Sequence, residues 1–442
     1  MKKNRSPKVV TAAQAVEAIR DNDDIVLSNF CSEPIKLPPA LMERAPELKG
    51  VRVYHMAVHG PFQERYTEPD MYRHIKCVTT LSGRVKSVRQ MIGEGHADFY
   101  STTFYGVPHL LREGDFKSDV FMVTLAPPDE YGYCNLGINV DYAWGALERP
   151  PRLIMAEFNP RMPRTNGRTA LHVSEIDYVV EVDEPLFELK QATITDVETR
   201  VGQHVGSLVE DGSTLQIGYG SMSEACIYFL KEKKDLGLHT EMVPEGAREL
   251  IEEGIINNSR KSMHKGMITC AFNGGTKKLY DWLDHNPLIE MHPVDYTNDP
   301  KVIARNSKMV AINAALQIDL FGNIYADQMG LQDQYSGAGG QLDFAIGCAI
   351  ADDAKFINAL PSTAGNGRFS RIVAHPSLEE ENTMAARIAT VPRYYADYVV
   401  TEFGIARLKD RSNRDRAAQL ISIAHPDHRG RLEVQAKQLG LL

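Results

Sequence analysis

A carboxylate becomes a nucleophile when it is desolvated and aimed at an acyl carbon. The chain offers a candidate in Gly237-Leu238-His239-Thr240-Glu241-Met242. Glu241 follows a short apolar strand, at the rim where open α/β sheets place their ligands. The competing reading of a strand-end acid is solvation, or capping of the next helix. A second constellation, Leu215-Gln216-Ile217-Gly218-Tyr219-Gly220-Ser221, reads as a strand entering a Gly-x-Gly turn, with an apolar helix from Ala225 to Leu230 behind it. Glycines let the backbone approach a ligand, and a helix N-terminus offers N–H groups to phosphate. Such a turn suits a nucleotide diphosphate. A plain strand-to-helix turn competes, because Ser223 stands where the dinucleotide fingerprint has its third glycine.

Three further segments carry groups of the right type. Pro293 to Pro300 is a polar loop that could aim the amide of Asn298, or be only a turn. Tyr335-Ser336-Gly337-Ala338-Gly339-Gly340-Gln341-Leu342-Asp343-Phe344 is dense in glycine and opens an apolar stretch; its backbone N–H groups could form an oxyanion hole, or its glycines could serve tight packing. Val400-Thr401-Glu402-Phe403 places a second carboxylate at a strand end, with a surface acid as the alternative. The fourteen histidines form no metal motif. His55 and His59 are four apart in a segment that reads as strand, where that spacing does not build a helical ligand pair, so they are read as structural. His425-Pro426-Asp427-His428 reads as a turn. Serine-hydrolase elbow and Walker sequences are both missing.

These groups need a scaffold, and the pattern supplies one. Thr11 to Arg20 reads as an amphipathic helix with Ala12, Ala15, Val16 and Ile19 on one face. Ile25 to Asn29 and Val51 to Val58 read as strands with a helix from Pro39 to Arg44 between them. Asp119 to Leu125 and Arg152 to Glu157 read as buried strands. Such alternation indicates a doubly wound, largely parallel sheet. A composition shift from Tyr178 to Leu189 marks the passage into a second domain, so two α/β domains are expected, 1–188 and 189–442. The pattern then restarts with a helix from Ile194 to Leu208 and a strand from Thr214 to Ile217. Both halves contain an apolar strand ending in Asp-x-x-Gly, at Asp129 to Gly132 and at Asp319 to Gly322. That echo hints at two similarly built halves.

Composition bounds the rest. A chain of 442 residues with 43% hydrophobic and 24% charged residues is an ordinary globular protein, long enough for two cores. A net charge of −9 argues against non-specific nucleic-acid binding. A polyanionic ligand must then be held by helix N-termini and a few cations. The six cysteines are scattered without a C-x-x-C pair, which fits reduced thiols in a reducing compartment. The apolar runs all fall short of a membrane span, and the basic N-terminus lacks the apolar stretch of a signal peptide, so a cytoplasmic protein is expected.

Taken together, the segments resemble the acetyl-CoA hydrolase/transferase family, and within it the 4-hydroxybutyrate and butyryl-CoA:acetate CoA-transferases. The resemblance runs from about Asp24 to Arg416. It rests on Ser32-Glu33-Pro34, on Pro127 to Cys134, on Val140-Asp141-Tyr142 and on Met162-Pro163-Arg164-Thr165. Further matches are Asp211 to Gly218, His239-Thr240-Glu241-Met242, Pro293-Val294-Asp295-Tyr296, Ser336 to Gln341 and Val400 to Gly404. It implies two similar open α/β domains of the class I CoA-transferase type, with coenzyme A held mainly by the second. It also implies that Glu241 is the nucleophile, assisted by Asn298, Gly340 and Glu402. The coenzyme A contacts it implies are Gln216, Ile217, Gly218, Tyr219, Gly220, Ser336, Gly339 and Gly340.

The implied reaction is ping-pong transfer of coenzyme A from an acyl-CoA to a short carboxylic acid through a glutamyl-CoA thioester, without a metal or prosthetic group. The alternatives are acyl-CoA hydrolysis on the same scaffold and a non-enzymatic CoA-binding scaffold; a nicotinamide-dependent dehydrogenase is disfavoured by the incomplete fingerprint. The resemblance further implies a homodimer. The chain departs from the family at Met222-Ser223-Glu224-Ala225, where members often carry Pro-Asn-Ala. It departs again at Ala364-Gly365-Asn366-Gly367-Arg368, where Arg368 supplies the one cation left of Ala-Lys-Gly-Gly-Lys. Residues 60–68, expected near the acyl pocket, are also unusual, so the acid itself is left open.

Overall fold

A computed structural model describes residues 6–57, 65–83, 85–190, 193–330, 332–379 and 388–442. Val58, His59 and the 60–64 part of the segment 60–68 lie outside the described residues. The chain divides into two compact units, 1–190 with 269–297, and 191–268 with 298–442.

The first unit is built on an eight-stranded sheet whose described pairings are all parallel. Its strands are β1 (Lys8–Val9), β2 (Asp24–Leu27), β3 (Val51–Tyr54), β4 (Ile75–Thr79), β5 (Ala97–Phe99), β6 (Val120–Leu125), β7 (Leu153–Phe158) and β8 (Tyr178–Glu181). The order across the sheet is β1-β8-β7-β6-β2-β3-β4-β5. From β2 the chain winds outward through β3 to β5, then returns to the other side of β2 for β6, β7 and β8. The winding therefore reverses between β2 and β6. Central β6 is buried along its whole length, its one polar residue Thr124 included, as its largely apolar sequence requires in a sheet covered on both faces.

The second unit repeats that winding. Its strands are β9 (Thr214–Ile217), β10 (Gly237–Leu238), β11 (Met309–Ala314), β12 (Lys355–Ala359), β13 (Tyr398–Thr401) and β14 (Gly404–Arg407). They run in the order β10-β9-β11-β12-β13-β14, parallel except for the final hairpin. Here the winding reverses between β9 and β11, the kind of point at which open α/β sheets bind ligands beyond their C-terminal strand ends.

The Asp-x-x-Gly echo is one turn used twice. Asp129 Oδ1 accepts the N–H groups of Tyr131 and Tyr133 at 3.0 and 2.9 Å, and Gly132 has φ of 82°. Asp319 Oδ1 accepts those of Phe321 and Asn323 at 3.0 and 2.9 Å, and Gly322 has φ of 95°. In both places a carboxylate satisfies the turn's amides while glycine supplies the left-handed residue.

Segment 269–297, part of the second half when the sequence is cut once at 188/189, packs within the first unit. Its backbone bonds show why. Val140 N–H donates to Ala271, Asn273 N–H to Ile138, His285 N–H to Arg164 and Met291 N–H to Asn166, all at 2.7–3.0 Å. The first helix is shorter than its periodicity suggests, spanning Ala12–Val16. Beyond it the Arg20 N–H donates to Asp23 Oδ2 at 2.7 Å instead of to the Val16 carbonyl, which accepts the Ile19 N–H and the Arg44 guanidinium. Among the described residues, no helix is long and apolar enough to cross a membrane.

His55 is fully buried; its Nε2 lies 2.7 Å from the Tyr66 hydroxyl and 3.3 Å from Cys77 Sγ. Burial lowers the imidazole from 6.5 to about 4. The folded protein therefore refuses a proton that the unfolded chain accepts between those values, and stability falls as pH drops through that window. His55→Gln should remove this loss. Urea unfolding of both proteins should show the wild type giving up on the order of 3 kcal/mol relative to the variant between pH 7 and pH 4.

Candidate active site

The second unit gathers the candidate residues along the C-terminal ends of its strands. Strand β10 is only two residues long, so side chains hold the segment beyond it. The Thr240 hydroxyl donates to the Ile217 carbonyl at 3.2 Å, and His239 N–H donates to Leu215 at 3.0 Å. These bonds tie the segment carrying Glu241 to β9, whose own end opens into the glycine turn. On the other side of β10, Leu238 N–H donates to Asn258 Oδ1 at 2.9 Å, and its carbonyl accepts the Lys261 ammonium at 2.8 Å. Gly237 has to be glycine, because a Cβ there would lie 2.4 Å from the Lys261 side chain.

Asn298 reaches Glu241 from another segment. It precedes the helix Pro300–Ala304, which Asp299 caps by accepting Lys301 N–H at 2.8 Å and which starts on a proline suited to that position. Gly347 lets this helix lie against the helix Gln341–Ile350: a Cβ on Gly347 would sit 2.5 Å from Ile303. The longer helix is fixed at its start by Gln341, which donates to Asn358 Oδ1 at 2.8 Å and to the Ala314 carbonyl at 3.1 Å. Phe344 anchors it in the core.

Three of the four residues expected to be catalytic therefore meet. Asn298 is fully buried, and its Nδ2 donates to Glu241 Oε1 at 2.7 Å. Gly340, at the cap of the longer helix, closes over this pair. A Cβ there would fall 2.1 Å from both Asn298 Nδ2 and Glu241 Oε1. Glu241 itself is partly exposed. The same Nδ2 lies 3.2 Å from Oδ2 of Asp343, a buried acid that the sequence reading passed over.

Glu402 stands at the end of β13 and is almost buried. Both its oxygens are taken by Ser362: the hydroxyl donates at 2.7 Å and the backbone N–H at 2.8 Å. Its charge also favours the charged form of Arg371, whose burial pulls in the opposite, and larger, direction. Ser362 gave no sequence signal, since an isolated serine after a strand is unremarkable.

The expected coenzyme A residues are not all alike. Gly220 has φ of 114°, which demands glycine, whereas a Cβ on Gly218 would make only an ordinary contact. Tyr219 is half exposed on the turn. Gln216 and Ile217 bury their side chains in the sheet, where Gln216 Oε1 accepts from Asn313 at 2.9 Å. The acid that replaces a neutral residue after the turn, Glu224, points to the next helix. There it accepts the Gly246 N–H, and burial raises its pKa. Ser336 donates its N–H to the Asp327 carbonyl at 2.9 Å, and Gly339 has φ of 52°. Arg368 is exposed on the hairpin between Thr363–Ala364 and Phe369–Ser370, its guanidinium over the Phe369 ring at 4.9 Å. A separate cavity of about 460 Å³ in the first unit, lined by Arg161, Met162, Leu186 and Tyr280 among others, contains none of these residues.

The acetyl-CoA hydrolase/transferase N-terminal domain matches residues 2–188, and the C-terminal domain of the same name matches residues 275–436. The chain belongs to this family. It is 42% identical to the 4-hydroxybutyrate coenzyme A transferase of Clostridium kluyveri, over 98% of this chain and 97% of that protein. It is 34% identical to the butyryl-CoA:acetate CoA-transferase of Anaerostipes caccae, over 99% and 97%. The solved structure of RipA from Yersinia pestis superposes with a TM-score of 0.90 at 34% identity, covering 98% of each chain.

Ser362→Ala removes the hydroxyl from a nearly buried carboxylate. It is expected to destabilise the protein by about 1–3 kcal/mol, read as a lower urea midpoint, whereas Ser362→Thr, which keeps the hydroxyl, should recover most of that loss.

Proposed function

We propose that the chain is a CoA-transferase that moves coenzyme A between an acyl-CoA and a short-chain carboxylate of the 4-hydroxybutyrate, butyrate or acetate type. The observation that carries this reading is the contact of Glu241 with the buried Asn298 amide beneath Gly340, where a Cβ would press on both groups. The names of the relatives point to the same transfer.

Glu241 attacks the thioester carbonyl of the donor. The C–S bond breaks, giving an acyl-glutamyl anhydride and the CoA thiolate. The thiolate then attacks the glutamyl carbonyl, which forms the glutamyl-CoA thioester and releases the donor acid as its carboxylate. The acceptor carboxylate reverses both steps, so the thioester bond energy is conserved on the protein. Each tetrahedral intermediate carries an oxyanion, and the Asn298 amide beside the reacting carbon is the donor to stabilise it. The Gly218-Tyr219-Gly220 turn and the helix Ser221–Tyr228 offer backbone donors for the nucleotide end of coenzyme A, with binding there driving the strained anhydride step. We place the enzyme in the cytoplasm as a homodimer; six buried free thiols accord with a reducing compartment.

The decisive test traps the intermediate. After incubation with butyryl-CoA and reduction with borohydride, mass spectrometry should find the reduced residue in the peptide containing Glu241. Modification confined to another peptide would overturn the assignment. With acetate present the wild-type protein should form acetyl-CoA. Release of free thiol at the same rate with or without acetate would identify a hydrolase.

Gly340→Ala should leave the protein folded. It should nevertheless lower transfer by about 10²-fold or more, because its methyl occupies the space of the Glu241–Asn298 contact. Steady-state kinetics beside a thermal melt will check this.

A further inference from the structure

The transfer reaction uses the Asn298 amide, but an amide can turn either end towards its target. Its oxygen would repel both Glu241 and an oxyanion, so function depends on which end faces Glu241. The surroundings of Asn298 bear on that choice. Its Nδ2 lies 2.7 Å from Glu241 Oε1 and 3.2 Å from Asp343 Oδ2, while its buried Oδ1 accepts no hydrogen bond among the described residues. The orientation is thus set by two carboxylates competing for the two hydrogens of one nitrogen.

These two acceptors differ over the catalytic cycle. Glu241 loses its charge when it becomes an anhydride or a thioester, and with it most of its pull on the amide. Asp343 reacts with nothing. It is 2% exposed, on the first turn of a helix whose start is bonded to Asn358 and Ala314 and whose next residue, Phe344, is locked in the core.

We propose that Asp343 is a positioning residue for this reaction: it holds the Asn298 amide with its NH2 towards Glu241 through the steps in which Glu241 is acylated and neutral. The inference rests on the transferase reading above. Two consequences arise from the geometry. A carboxylate only accepts, so Asp343 admits one amide orientation, whereas an asparagine at 343 could donate to Oδ1 as well and would admit both. The acid also stands near Glu241, since both touch one nitrogen, so acylation of Glu241 relieves a like-charge repulsion.

A blander role exists for an acid at this position, because a negative charge in the first turn stabilises a helix N-terminus. Such a role would act on folding and would be indifferent to Asn298. A double-mutant cycle separates the two. Asp343→Asn should lower kcat by about tenfold to a hundredfold while the KM for acyl-CoA stays within about twofold. In an Asn298→Ala background the same substitution should cost little more, because the amide it positions is already gone.

Wild-type kcat in Asp343→Asn, or a double variant whose loss equals the product of the two single losses, would overturn the proposal. Should Asp343→Asn fail to fold, Asp343→Glu, which keeps the charge but displaces the oxygens, is read by the same cycle and the same criteria. Borohydride trapping of the wild-type protein runs alongside. If no glutamyl adduct forms there, the transferase reading itself fails; if the adduct forms and the cycle is multiplicative, only the role of Asp343 is lost.

Discussion

A single amide nitrogen, that of Asn298, lies within hydrogen-bonding distance of two carboxylates, and a Cβ at Gly340 would press on that nitrogen and on Glu241. The rest of the second unit serves this meeting. Glu241 arrives from the end of an edge strand, Asn298 from the cap of a short helix, and Gly340 and Asp343 from the start of a longer one. These three segments lie far apart in sequence. They converge because the parallel sheet delivers its C-terminal ends to one rim, and because Gly347 lets the two helices pack at close range. Their backbones are tied down by Thr240, Asp299 and Gln341, none of which needs to touch a substrate.

Charge is managed with similar economy. The protein is acidic overall, and its Gly-x-Gly turn lies beside two acids. Both acids are held by donors. Glu224 accepts the Gly246 N–H, and Glu198 serves the capping box of its own helix while also accepting the Ser221 hydroxyl. A Cβ at Gly246 would meet Glu224 Oε2 at 2.4 Å, so a side chain there would push the acid aside. The acid that departs from the family pattern is therefore accommodated by a neighbour rather than by the turn.

Much of this was legible in the sequence, and the failures have physical causes. Strand β6 could be read from its largely apolar run, the glycine turn from its spacing, and Glu241, Asn298 and Gly340 from ordered motifs. The repeated Asp-x-x-Gly turn needed no tertiary information, because the carboxylate and the amides it satisfies lie within four residues of each other. Asp343 was inside a segment singled out for its glycines, but an acid in a first helical turn has an adequate local explanation, and nothing local reports a partner 45 residues away. The packing of segment 269–297 with the first unit was likewise invisible, since its bonds to Ile138, Val140, Arg164 and Asn166 depend on chain crossings that no local pattern records. Gly218 and Gly220 look equivalent in the sequence, and only the backbone angle distinguishes the one that requires its glycine.

The short strand ahead of Glu241 lies at the margin of its sheet, where unpaired backbone invites another chain to add itself. At Leu238 that invitation is withdrawn: its N–H is occupied by Asn258 and its carbonyl by the Lys261 ammonium. An incoming strand would have to displace both side chains and desolvate a cation. The sheet can therefore end at this margin without becoming a template for edge-to-edge aggregation.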